Sequence, residues 1–421
     1  MKPAPITHLD LFAGPGGICT GFKAAGIKTL AAVEYITTCC DTYSANHPEV
    51  AVMCLDVRKV TGKMVFDRIE ASGGQVQQGS IDVVSAGFPC ETFSTAGSKS
   101  RVYGDRRNYL YKEAIRLADE VRAKLLVLEN VPAFLSKRVS AESRQLIFDL
   151  LIKDLEKAGF IHHSYAILNA ADHGVPQSRQ RFIMLASKTI PVDGKMLSDG
   201  GKRPGVTVGE ALSDLPPIGP EQEATEYASE PMNAYQETMR SPRFWGVKSG
   251  INQTAVSGLT YHKTPKHRPG TIERLKMLQP GESLKDLFDK CDPQEVASLQ
   301  ARKILPKKWF IQRNYRLIAA GISRTVTSHC LDELVHPQLN RALSVREAAR
   351  LQSFPDWYDF KGGPFICPHM FKIQDKYEQI GDAVPPLLAF HIGSRISLIL
   401  KKYADATKPR VRQRVLSGSL R

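Results

Sequence analysis

Among the 421 residues there is no Cys-x-x-Cys pair. The eight cysteines are scattered, except for the adjacent Cys39 and Cys40. Zinc-ribbon spacings are therefore excluded. Cys367-Pro368-His369 is too little for a zinc site, which needs four ligands or three and a water. The expectation is a reduced cytoplasmic protein that holds no metal. No apolar run reads as long enough to cross a bilayer, and no secretory signal precedes residue 6. A membrane partner is not expected. No internal repeat is present.

Acids are missing where bases are dense. Residues 301 to 330 hold Arg302, Lys303, Lys307, Lys308, Arg313, Arg316 and Arg324 and no Asp or Glu. Trp309, Phe310 and Tyr315 are interleaved with them. With a net charge of +14, the pattern suits a polyanionic partner. The basic stretch is expected to track phosphates through Lys307, Lys308, Arg313 and Arg316. The 42% hydrophobic content is that of a globular chain, long enough for one large and one smaller domain.

What is there is a thiol on a turn. Ile81 to Ser85 reads as a buried strand, and Gly87 and Pro89 break it just before Cys90. A lone cysteine is ordinarily core. This one has company at the same sheet edge. Ile6 to Phe12 reads as a strand, followed by Ala13-Gly14-Pro15-Gly16-Gly17 and a helix from Ile18 to Ala25. Strand, glycine turn and helix open a nucleotide-binding α/β unit. The next two strand candidates end at Glu34 and Asp56, placed for a ribose and an adenine amino group. A further strand, Leu125 to Leu128, runs into Glu129-Asn130-Val131-Pro132. Alternation places Gln177, Arg179 and Arg181 on one face before the strand Phe182 to Leu185.

In this order the elements resemble the DNA (cytosine-5) methyltransferases. The resemblance rests on Asp10 to Gly17, Glu34, Asp56, Phe88-Pro89-Cys90, Glu129-Asn130-Val131 and Gln177-x-Arg179-x-Arg181. It continues through Arg341 to Pro355 and Gly381-Asp382-Ala383-Val384-Pro385-Pro386. Only residues from about 190 to 320 lie outside it. Glu91 and Asp382 depart from the family's usual Gln and Asn.

The resemblance implies an α/β fold: a Rossmann-like methyltransferase sheet with helices on both faces, plus a small irregular target-recognition domain. Residues 1–189 and 335–421 would form the catalytic domain, with recognition in 190–334. Ser344 to Glu347 reads as a capping box, and Val384 to Tyr403 as a final helix.

By the same resemblance, Cys90 attacks, Glu129 binds the ring's N3 and amine, and Arg179 or Arg181 holds the base carbonyl and a phosphate. S-adenosylmethionine would be the donor. Phe12, Ala13, Gly14 and Gly17 would line its methionine side. Glu34 would hold the ribose, Tyr35 would stack on adenine, and Asp56 and Val57 would read its edge. Gly87, Pro89 and Leu110 would close the pocket, with Asp382 and Val384 at the far wall. Lys99 and Arg101 would grip DNA from a closing loop. The partner would be double-stranded DNA and the enzyme a monomer, with a restriction endonuclease as functional companion but no stable complex. A solitary or phage methylase fits as well. A tRNA methyltransferase of the same fold and a catalytically silent DNA-binding relative are the rivals.

Overall fold

The structure is a computed structural model, and it describes residues 4–76, 80–89, 106–140, 142–247, 258–308, 311–362 and 373–407. Cys90, Lys99, Arg101, Trp309, Phe310 and the Cys367–His369 pair lie outside them.

Seven strands form one sheet: β1 Thr7–Leu11, β2 Lys28–Glu34, β3 Ala51–Cys54, β4 Val83–Gly87, β5 Leu125–Asn130, β6 His162–Asn169 and β7 Gln180–Ser187. Their order is β3-β2-β1-β4-β5-β7-β6. The first five are parallel, and β7 runs antiparallel to both β5 and β6. Helices α1 Gly17–Ala24, α2 Thr37–Asn46, α3 Gly62–Ala71, α4 Tyr111–Glu120 and α5 Ile147–Lys157 connect the strands. Covered on both faces, the central strands are near-continuous apolar runs. Alternation sorts them: Val83, Leu125 and Val127 join one core, Val84, Leu126 and Leu128 the other. The strand order reverses between β1 and β4. That is the point where open α/β sheets bind ligands, outside the carboxyl ends of the strands.

β6 has no counterpart in the sequence reading. It is an edge strand, and its outward residues include Tyr165 and Ile167, 42% and 47% exposed. A polar start at His162 and an apolar outer face hide the usual alternation.

After β7 the chain makes short helices and loops. Leu197, Val208, Leu212, Tyr235 and Trp245 pack into the same core as β5 and β7. A separate apolar core forms further on, from Leu275, Leu278, Leu284, Leu287, Leu299, Ile304, Leu305 and Val335. The independently packed part is therefore narrower than 190–334. Residues 197 to 245 belong to the body of the sheet.

The chain returns through the helix Val345–Leu351. Ser344 Oγ accepts from Glu347 N at 3.1 Å, and Glu347 Oε2 accepts from Ser344 N at 2.7 Å, which makes the expected capping box. The last helix, Pro386–Thr407, lies against α1. The stretch Lys376–Ala406 is in fact long and apolar enough to cross a membrane, contrary to the sequence reading. Its Leu388, Ala389, Ile392 and Ile396 are buried in the core instead.

Candidate active site

The glycine loop closes over the end of β1. Phe12 and Gly14 both have φ near +54°, and Gly16 has φ +100°. A left-handed Phe12 costs roughly 1–3 kcal/mol, so the surroundings must enforce it. Support comes from below. Tyr358 donates its hydroxyl to Pro15 O, and Thr20 Oγ1 lies 3.1 Å from His47 Nε2. A Cβ on Gly17 would sit 2.2 Å from Val384 O. Glycine at 17 therefore lets the C-terminal segment press directly on the loop.

Glu34 ends β2 beneath that loop. Its Oε2 accepts from Gly14 N at 2.7 Å, and its Oε1 from Tyr35 N at 2.6 Å and Ile36 N at 2.7 Å. Burial raises its carboxyl above the ordinary range, and the three N–H groups pull it back. Tyr35 is exposed beside it. Asp56 caps the short turn Val57–Lys59 by accepting from Arg58 N at 3.0 Å. The Arg58 guanidinium holds its carboxyl low. Val57 is buried, and Leu110 sits half-buried ahead of α4. Exposed Tyr35 over two anchored acids, at the crevice of the sheet, fits an adenosine-bearing ligand.

Asp382 stands at the other end. Its Oδ2 accepts from Gln374 Nε2 at 2.9 Å. Solvent reaches it, yet the surrounding protein strips enough water to push its carboxyl up to about 6, against the pull of Arg179 and Gln374.

Glu129 is the penultimate residue of β5, opposite Gly87 of β4 and Ile183 of β7. Its Oε1 lies 2.9 Å from Arg181 Nε, with both side chains nearly closed off from solvent. Burial raises the Glu129 carboxyl, and Arg181 and then Arg179 lower it part of the way back. Glu129, Val384 and Ser85 line one small void with Ile18 of α1.

The turn after β4 is braced. Asn130 Nδ2 donates to Phe88 O at 3.2 Å, and Asn130 Oδ1 accepts from Val131 N at 2.8 Å. The Phe88 ring packs on Tyr111 and Phe134. Pro89 is the last described residue before Cys90.

One expected role needs correction, that of Arg316, and the alternative between Arg179 and Arg181 narrows. Arg179 is 2% exposed and spends its donors on Val326 O, Gly381 O and Ala383 O. It is a strut that fixes the Asp382 segment, whereas Arg181 pairs directly with Glu129. Arg316 is likewise buried, donating to Leu278 O, Leu275 O, His336 O, Leu339 O and Asn340 Oδ1. Its guanidinium serves loop carbonyls, not phosphates. Lys307 and Lys308 are exposed, and Arg313 is half-buried, 3.7 Å from Asp332.

Sequence reasoning missed Asp10. Its Oδ1 accepts from Ser85 Oγ at 2.6 Å and its Oδ2 from Tyr43 OH at 3.3 Å. Ser85 Oγ in turn lies 2.8 Å from His8 Nε2. A polar residue inside an apolar strand was the available signal.

The chain matches the family model for the C-5 cytosine-specific DNA methylases over residues 6–398. It is 32% identical to the Type II methyltransferase M.DdeI of Desulfomicrobium norvegicum, over 92% of this chain and 88% of that one. It is 30% identical to the Type II methyltransferase M.XorII of Xanthomonas oryzae pv. oryzae, over 94% and 85%. A solved structure of a prophage-encoded methyltransferase from E. coli shares the fold, with TM-score 0.69 and 23% identity over 94% of this chain and 99% of that one. The protein therefore belongs to the C-5 cytosine-specific DNA methylases and is a DNA (cytosine-5)-methyltransferase.

Proposed function

We propose that the enzyme methylates cytosine within one specific duplex sequence, through a transient bond between Cys90 and an extruded base. The observation that supports this most is the largely shielded Glu129–Arg181 pair one strand away from the turn that leads into Cys90. Cytosine carbon 5 is a poor nucleophile until something adds at carbon 6. A thiolate from Cys90 makes that addition, and electron density moves to carbon 5.

Glu129 is suited to the other edge of the ring. Its raised pKa lets it hold or share a proton at N3 as charge builds there. Arg181 keeps that carboxyl oriented and offers donors to the base carbonyl. Asn130 holds the Phe88 carbonyl, and so the path of the chain into Cys90. Membership of the family implies S-adenosylmethionine as donor, and its sulfonium supplies an electrophilic methyl group without a metal. Glu34, Asp56 and Tyr35 would hold its adenosine, and Asp382 its ammonium group. A base then takes the carbon 5 proton and Cys90 leaves. The target is shielded in a duplex, so it must be flipped out, at a cost of a few kcal/mol.

The relatives' name, Type II methyltransferase, favours the modification half of a restriction system. A monomer in the cytoplasm, with a separate endonuclease as companion, is part of the same proposal. Residues between 190 and 334 would read the sequence. Bisulfite sequencing of plasmid DNA from expressing cells tests the proposal. It predicts protected cytosines in one recurring sequence, absent with Cys90→Ser. Methylation that survives Cys90→Ser would contradict the covalent route.

A further inference from the structure

A cavity of about 360 Å³ opens where the inserted segment meets the start of the returning chain, and of the residues assigned above only Arg313 lines it. A water takes about 30 Å³ of liquid volume, so there is room for a far larger guest. One wall is the first turn of the nine-residue helix Pro269–Met277, including Arg268 and Thr271. Arg313, Asn314 and Asp332 line it as well.

Charge in the cavity is unbalanced. Lys266, Arg268, Arg274 and Arg313 line it against one carboxylate, Asp332. Arg274 is 5% exposed and rigidly held, its Nε donating to Asn314 Oδ1 at 3.0 Å and its Nη1 to Ile304 O at 2.8 Å. Arg313 Nη2 lies 3.7 Å from Asp332 Oδ1. Burial, and then the charge of Arg313, push the Arg274 guanidinium down to about 10. Two guanidiniums lining one concave wall favour an anion beside them. The positive end of the helix adds to the same field, and no side chain caps it.

We propose that this cavity receives a phosphate, and that in the working enzyme the phosphate belongs to the backbone of the bound DNA. The assignment rests on the duplex substrate named under the proposed function. A four-to-one excess of cations suits phosphate better than a base edge, and such contacts fix register without reading sequence. It also relocates the DNA charge of the basic stretch. Arg316 is committed to carbonyls, whereas Arg313 faces the cavity.

The salt dependence of DNA binding tests this, measured by anisotropy on a mixed-sequence duplex with wild type, Arg268→Gln and Arg313→Gln. Each lost phosphate contact lowers the log–log salt slope by about 0.9. Over a fourfold rise in salt, wild type should then lose about 3.5-fold more affinity than either variant. Arg268→Lys, which keeps the charge, should keep the slope, as should Lys63→Gln on α3. Unchanged slopes in both glutamine variants overturn the proposal, and so does an equal drop in Lys63→Gln. Thermal stabilisation by inorganic phosphate, lost in Arg313→Gln while the DNA slope stays put, would overturn the DNA assignment in favour of a free anion. Bisulfite sequencing separates the two readings. A reduced slope without cytosine methylation breaks the catalytic reading and leaves the cavity. Methylation with unchanged slopes does the reverse.

Discussion

The sheet and the chain that follows it bury polar groups in opposite ways. Inside the sheet the buried polar residues are few and close to neutral. His8 is held down to about 3 by burial, and Asp10 is pushed up to about 7, each bonded to Ser85. Backbone groups there are satisfied by the strand ladder, so apolar side chains can fill the rest. Beyond β7 there is little ladder to use. Arginines take its place: Arg316, Arg341, Arg346 and Arg350 all sit buried among carbonyls or carboxylates. A guanidinium offers five donors in a rigid fork, which suits irregular loops with many orphan carbonyls. Part of the +14 charge is thus scaffolding, and only part is available to DNA.

This contrast predicts the largest loss at Arg350. Its Nη1 donates to Asp214 Oδ1 at 2.9 Å, and its Nη2 to Asp356 Oδ2 at 2.5 Å. Arg350→Ala takes the shared guanidinium from two buried carboxylates, leaving Asp214 with Arg240 and Asp356 with Tyr227, and should cost about 3–5 kcal/mol in denaturant melts. Within the sheet the matching change is Leu126→Ala, which opens a cavity and should cost about 3 kcal/mol by the same measurement. A milder cost at Arg350 than at Leu126 would erase the contrast.

Asp10 sharpens it through pH. Its folded pKa near 7 lies above the unfolded value near 4, so between them the folded state holds the extra proton. Its contribution is complete below about pH 4 and is lost as pH rises towards 7. Asp10→Asn should flatten that decline, worth on the order of 2–3 kcal/mol between about pH 5 and pH 8 in urea melts. Ser344→Ala, which removes one cap, should cost about 1 kcal/mol.

The central strands were legible because parallel strands covered on both faces are unbroken apolar runs. β6 was not, because an edge strand keeps its apolar residues on the outside. The acids Glu34 and Glu129 were legible from their place at strand ends. Their partners were legible only in part. Arg179 and Arg181 look alike in sequence, yet one turns to carbonyls of the returning chain and the other to Glu129. The same holds for Arg313 and Arg316. Residue type reveals a charge, but the long-range packing decides which way it points. Tyr358 and His47 beneath the glycine loop left no local signal, since their contacts are made only when distant segments meet.

The central claim is a thiol that bonds to the base while a carboxyl steadies its far edge. Duplexes carrying 5-fluorocytosine at the mapped site, incubated with enzyme and S-adenosylmethionine, test it by mass spectrometry of the digested protein. Fluorine cannot leave as a proton does, so the account predicts a methylated base trapped on the peptide containing Cys90, and none with Cys90→Ser. Full methylation of the ordinary site with no adduct at Cys90 would contradict it.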